Sequence, residues 1–232
     1  MRREPEQELM NTREQVMAYA KGDFSIGEKR FIEFINEFLR KREIILSSKD
    51  LIVDLGCGPG NITERLSKKW PNVNVLGIDG SKEMILKAKD NKNRNNTTYK
   101  SSRKLEYLCA DIKKLKLTEI TSNEKITLLV SNSLIHHITN IDDFFCCLKR
   151  LSTRDTINFH KDLRRPKNKK IALDLKKECS KEYNEILTND YYASLKASYR
   201  KDELEEIIKR KELYSLDVIE ESNQYLIVYG NV

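Results

Sequence analysis

Residues 51–61 read Leu-Ile-Val-Asp-Leu-Gly-Cys-Gly-Pro-Gly-Asn: an apolar run meets an acid and then three alternating glycines. No other stretch constrains the fold as tightly. The apolar positions in 51–55 predict a buried strand, and the glycines let the backbone turn sharply and come close to a ligand. Residues 61–66, Asn-Ile-Thr-Glu-Arg-Leu, supply polar caps and helical apolar spacing. The loop therefore opens onto a helix N-terminus whose first N–H groups lack partners within the helix. A second strand is predicted at 73–78 and ends at Asp79, 21 residues beyond Gly58, where a ribose-binding carboxylate stands in a nucleotide-binding βαβ unit. The glycines are spaced more tightly than the G-x-G-x-x-G of dinucleotide sites, and Asp54 precedes them.

The remaining pattern extends this βα alternation. Helices are predicted at 12–20 and 27–42, the second with Phe31, Ile32, Phe34, Ile35, Phe38 and Leu39 on one face. Helices at 62–69 and 81–90 flank the second strand, and the polar, Asn-rich residues 91–104 predict a mobile surface loop. Strands follow at 105–110, 126–131 and 156–161, with a helix at 141–151 between the last two; parallel strands joined by helices are the natural arrangement. Residues 171–199 read as helical, with Leu173, Leu175, Ile186, Leu187, Tyr191, Tyr192 and Leu195 as packing positions. A helix at 201–210 and strands at 214–220 and 224–229, close enough for an antiparallel hairpin, complete the chain.

Composition narrows the function classes. A chain of 232 residues is expected to bury one α/β core rather than form two independent domains. The net charge of +7 is spread along the chain and does not cluster as a dedicated nucleic-acid surface. Cysteines 57, 109, 146, 147 and 179 form no C-x-x-C pair, and no histidine stands at zinc-ligand spacing, so neither a disulfide framework nor a metal site is expected. The N-terminus lacks an apolar signal core and no apolar run approaches ~20 residues, which predicts a cytoplasmic protein without a membrane span.

Residues 51–60 resemble motif I of the class I S-adenosylmethionine-dependent methyltransferases. The resemblance continues through Asp79, the segment Leu108-Cys109-Ala110-Asp111-Ile112, and Val130-Ser131-Asn132-Ser133-Leu134-Ile135-His136-His137, in the order of the family's successive motifs. Three further segments, at 19–25, 161–166 and 194–199, resemble a bacterial subgroup reading A-Y…D-F-S, R-D-L-x-R-P and S-L-x-A-[AS]-[FY]; Lys161 stands where that subgroup has Arg. The resemblance implies a Rossmann-like, doubly wound, mostly parallel seven-stranded sheet of order 3-2-1-4-5-7-6 with its last strand antiparallel. It implies one methyltransferase domain over 1–232, with an N-terminal helical cover at 1–48 and a helical insertion at 167–199 over the substrate side. S-adenosyl-L-methionine is the cofactor it implies, contacted by Tyr19, Asp54, Gly56, Cys57, Gly58, Pro59, Gly60, Asn61, Asp79, Gly80, Ser81, Met84, Asp111, Ile112 and Ser131.

Several of these residues keep a second reading. Asp79 reads as a ribose ligand or as the cap of the following helix, and Met84 as an adenine contact or as core. His136 and His137 lie beyond the fourth strand, where open α/β sheets bind ligands; one of the pair is expected to face the site, as a general base or to position substrate. Asp162 reads as a substrate ligand, as the residue that orients a histidine, or as an ion pair with Arg164 or Arg165. Tyr19, Asp23 and Phe24 read as a closure over the cofactor or as N-terminal packing. The acceptor reads first as a small molecule; RNA or protein is the alternative, and a non-catalytic S-adenosylmethionine-binding protein the second alternative.

Overall fold

The computed structural model describes residues 1–6, 10, 12–96, 105–120 and 125–232. Seven strands, β1 (Asp50–Leu55), β2 (Asn74–Asp79), β3 (Leu105–Cys109), β4 (Lys125–Asn132), β5 (Ile157–Leu163), β6 (Leu216–Glu220) and β7 (Tyr225–Asn231), form one sheet of order β3-β2-β1-β4-β5-β7-β6. The first five strands pair in parallel, with Val53 beside Leu76 on one side and Leu129 on the other. β7 runs antiparallel to both β5 and β6, as the hairpin reading of the last two strands requires. The order reverses between β1 and β4, so the C-terminal ends of these strands open a crevice there.

Each central strand is apolar on both faces because helices cover both. On one face α2 (Ser25–Lys41) and α3 (Asn61–Lys69) bring Phe31, Ile35, Leu39 and Leu66 against Ile52, Val75, Leu128, Val130 and Phe159. Full burial of one such Phe or Leu stabilises the fold by roughly 1.5–3 kcal/mol. On the opposite face α5 (Ile141–Leu151) and α8 (Lys201–Arg210) bring Phe144, Phe145, Leu148 and Leu204 against Val53, Leu55, Ile78 and Leu129. The stripe expected on α2 is present, with Phe34 and Phe38 at its partly buried margin.

Three sequence expectations change. Helix α4 (Lys82–Asn96) continues through residues 91–96, which were expected in the polar loop; the rest of that expected loop, 97–104, lies outside the described residues. Residues 171–199 divide into α6 (Lys169–Cys179) and α7 (Glu185–Ala197), each started by an asparagine, Asn168 and Asn184, whose side chain accepts a backbone N–H in the first turn. Leu173 and Ile186, expected as packing positions, are exposed, whereas Ala172, Leu187 and Leu195 are buried. With two helices in place of one, the buried stripe restarts at each cap. Helix α1 (Arg13–Lys21) precedes α2, begins at a Thr12 cap and packs on α7. No helix among the described residues is long and apolar enough to cross a membrane.

Candidate active site

A cavity of about 870 Å³ occupies the crevice above β1, β2, β4 and β5, closed by α1, α2, α6 and α7. One end is built by the glycine loop. Gly56 and Gly58 hold positive φ of 66° and 52°, in the left-handed region that costs a side chain roughly 1–2 kcal/mol. A Cβ on Gly56 would strike Leu134, while one on Gly58 would meet no atom within 4 Å; at Gly58 the backbone itself is the wall of the cavity. Asp79 fixes this loop, its Oδ2 accepting the Gly58 N–H and its Oδ1 the Ser81 N–H, both at 2.8 Å. Burial pushes the Asp79 carboxyl up, opposed by these two amide bonds. Each oxygen keeps a second lone pair for a hydroxyl donor.

Asp54 is buried one strand away and accepts the Thr63 hydroxyl at 2.7 Å. Burial, with some help from the nearby Asp79 charge, raises its pKa to about 7 against the Thr63 bond. Cys57, Pro59 and Asn61 line the same end of the cavity; burial holds the Cys57 thiol far above its usual range, which makes it inert as a nucleophile. Gly80, Ser81, Met84, Asp111, Ile112 and Tyr19 also border the cavity. The Ser81 hydroxyl donates to the Met10 carbonyl, which draws the N-terminal segment over this end. The Tyr19 ring meets Phe24 at a tilt and Phe24 stacks on Tyr183, and the Tyr183 hydroxyl donates to the Asp23 carbonyl, so the α1–α2 junction is joined to the α6–α7 junction.

Two residues expected at the cofactor turn elsewhere. Ser131 is fully buried, with its hydroxyl 2.9 Å from His160 Nδ1; alternation along β4 points it into the sheet. Gly60 does not line the cavity but starts α3 at φ 90°, where a Cβ would collide with the Tyr107 ring. It supplies no capping side chain, so the first-turn N–H groups of α3 are left to other acceptors.

The other end of the cavity holds the histidines. Asp162 Oδ2 accepts the Ile135 N–H at 2.6 Å and Oδ1 lies 2.5 Å from His136 Nδ1, so the carboxylate orients the ring. Arg164 and Arg165 pair with Glu220 and Glu203 instead, which removes the reading of Asp162 as their partner. Burial opposes a charge on His136, but Asp162 and then Glu6 outweigh it and the pKa rises. The sequence expectation that one histidine faces the site is corrected: both line the cavity. They sit in a 3-10 turn, Ile135–His137, and their rings lie 4.3 Å apart at 37°. Both converge on Glu6 Oε1, at 3.6 Å from His136 Nε2 and 3.3 Å from His137 Nδ1, and donor atoms of these three residues all lie within 4.8 Å of one another.

Four residues here were not singled out from sequence. Glu6 is carried by an N-terminal strap in which Arg3 donates to the Ala197 and Ile138 carbonyls and lies over the Tyr199 ring; nothing in its local sequence marks it. Glu28 is buried in α2 and receives Asn61 and Arg65. Asp190 borders the cavity with its carboxyl raised by burial. Lys161 was noticed as a departure from a motif but given no role. It is 3% exposed, borders the cavity, and sets its ammonium 4.3 Å from the Tyr225 ring centre. Among the described residues no carboxylate forms an ion pair with it, and burial lowers its pKa, partly offset by Glu221.

Residues 52–155 match the family model described as a methyltransferase domain. Over 67 residues the chain is 37% identical to trans-aconitate 2-methyltransferase of Azoarcus sp., covering 27% of this chain and 26% of that protein. Over 44 residues it is 48% identical to the protein of the same name from Escherichia coli O157:H7, covering 19% and 18%. The chain thus spans about a quarter or less of the curated relatives it matches. Among solved structures, the plantazolicin methyltransferase BpumL in complex with a triazolic desmethylPZN analogue and S-adenosylhomocysteine (SAH) superposes with TM-score 0.68 at 15% identity, covering 95% and 91% of the two chains. A SAM-dependent methyltransferase from Aquifex aeolicus does so with TM-score 0.62 at 17% identity, covering 93% and 97%. Residues 52–155 thus match a methyltransferase domain, and they lie in a seven-stranded sheet whose order and overall fold are shared with the solved methyltransferase structures.

Proposed function

We propose that this protein transfers a methyl group from S-adenosylmethionine to an oxygen of a small acidic acceptor. S-adenosylmethionine, when bound, supplies the electrophilic methyl group. The chain's own work is to bind, orient and exclude water. Asp79 is the ribose ligand in this reading, the open Gly58 backbone gives the cofactor room, and Asp54, Tyr19, Gly80, Met84, Asp111 and Ile112 border it.

The observation that carries the acidic acceptor is Lys161. A buried ammonium with no carboxylate partner among the described residues is costly unless an anion joins it or it sheds its proton, and Lys161 borders the cavity. Trans-aconitate is the acceptor named for the partial relatives, and it is acidic. A carboxylate attacks through an oxygen that carries no proton, so this chemistry requires no general base. His136 and His137 then position the acceptor, and Asp162 acts through His136 as a positioning residue.

The test is transfer of radiolabelled methyl from the cofactor to a panel of small di- and tricarboxylates, trans-aconitate included, beside their amides, simple amines, bulk RNA and protein. Label in acids that alkali releases as methanol is the expected result, because a methyl ester is saponified. Label confined to amines, RNA or protein overturns the acidic acceptor, and cofactor binding without transfer to any class favours a non-catalytic binding protein.

A further inference from the structure

Glu6, His136 and His137 form a divalent-cation site, we infer, with a borderline ion of the zinc type as its occupant. Their separations carry the argument. Glu6 Oε1 stands 3.6 Å from His136 Nε2 and 3.3 Å from His137 Nδ1, longer than the roughly 2.7–2.9 Å of a charge-assisted hydrogen bond. The same spacing suits two ligands of one tetrahedral ion, since bonds of about 2.0–2.1 Å to nitrogen and oxygen set the ligand–ligand edge near 3.3 Å. All three donors fall within 4.8 Å of one another.

A second observation is independent of the spacing. Among the described residues Glu6 Oε1 is buried and has no hydrogen-bond partner, and its side chain is 13% exposed; a buried acceptor left in that state is destabilising, the more so when charged. A cation between the three donors removes that cost. The surroundings hold the donors in place. Asp162 occupies His136 Nδ1 at 2.5 Å and so aims Nε2 at Glu6, in the carboxylate–histidine–metal arrangement that fixes ring orientation. Arg3, bonded to the Ala197 and Ile138 carbonyls, and the Glu4 N–H, bonded to the Lys196 carbonyl, anchor the strap that carries Glu6.

Two imidazoles and one carboxylate select zinc-like ions over magnesium or calcium, which prefer all-oxygen shells. Three protein ligands leave one position open to water or to an acceptor oxygen, and all three side chains border the cavity. Metal binding stands on these contacts alone; its use as a clamp on the acceptor rests on the methyltransferase reading above.

The test uses untagged full-length protein, dialysed against zinc and assayed for bound metal, and the cobalt-substituted form read by visible absorbance. One zinc per chain and a cobalt spectrum without thiolate charge-transfer bands are expected. Glu6→Gln and His137→Ala should each lose at least tenfold in zinc affinity, and Asp162→Asn, which keeps all three ligands, about 10–100-fold. SAH affinity, measured on each variant, should stay near the wild-type value and so report an intact fold. Absence of stoichiometric zinc, a thiolate spectrum, or metal retained in both Glu6→Gln and His137→Ala overturns the site. If SAH binds while zinc does not, the metal site alone fails; if wild-type protein does not bind SAH, the methyltransferase reading fails whatever the zinc result.

Discussion

At the glycine-loop end of the cavity, Asp79 receives two backbone N–H groups and Asp54 a threonine hydroxyl. Elsewhere along the cavity, among the described residues, Glu6 Oε1 beside the histidines has no hydrogen bond and Lys161 beside Tyr225 no ion-pair partner. The carboxylates beside the glycine loop already have protein donors, whereas Glu6 and Lys161 hold buried charge that, in the proposed reading, a ligand completes. Pre-organisation of this kind suits a constant cofactor, and incompletely paired groups suit the step that must recognise the acceptor. Substitutions should therefore separate: at the donor end they cost stability and cofactor affinity together, and at the acceptor end they cost recognition alone.

The largest expected effect is Asp79→Ala. It removes two amide bonds to a carboxylate, worth about 1.5–3 kcal/mol each, along with the proposed ribose ligand. Affinity for SAH should fall at least ~100-fold and the melting temperature should fall with it, both read by ligand-dependent thermal shift. An unchanged melting temperature would break the proposed pre-organisation of the donor end.

Asp54 gives a pH signature. Its folded pKa, about 7, lies above the unfolded value near ~3.9, so the folded state holds the proton more tightly. The stability this supplies is fully present below about pH 4 and is lost as pH rises to about 7, with a limiting slope near 1.4 kcal/mol per pH unit. In cofactor-free protein, denaturant titrations of wild type and Asp54→Asn should differ by that slope over pH 4–7. Parallel curves would contradict it.

Lys161→Met tests the other end. Replacing an unpaired buried charge by an apolar chain is neutral or stabilising, so the melting temperature should hold or rise. The KM for an acidic acceptor should increase roughly 10-fold or more, as expected for loss of a charged contact of about 1.5–3 kcal/mol, with SAH affinity unchanged. A fall in stability together with an unchanged KM would make Lys161 part of the scaffold.

Gly58→Ala is the mildest and sharpens the boundary between stability and binding. The left-handed backbone costs roughly 1–2 kcal/mol, while the open space beyond Cβ adds no clash in the free protein. Stability should drop by about that amount, and SAH affinity by more, because the methyl group enters the cavity.

The glycine loop and its flanking acids were legible in sequence because they sit at strand ends a fixed number of residues apart, as Asp54, Gly58 and Asp79 do. The βα alternation and the terminal hairpin were legible in the same way, and the strand order followed from the family resemblance. Ser131 and Gly60 stand off the cavity lining because strand alternation turns Ser131 into the sheet and Gly60 starts α3 against the Tyr107 ring, and neither shows in a motif. Glu6 was invisible. It meets His136 and His137 across some 130 positions, by way of a strap whose course depends on Arg3 reaching carbonyls on other elements. Lys161 was visible as a lysine in a strand, but its isolation from carboxylates is a tertiary fact.

The central claim, a donor site pre-formed around the glycine loop, is tested most directly by calorimetric titration of the wild-type chain with SAH. The account predicts saturable binding of one molecule per chain. No heat of binding at high micromolar ligand, in protein shown by circular dichroism to be folded, would contradict it.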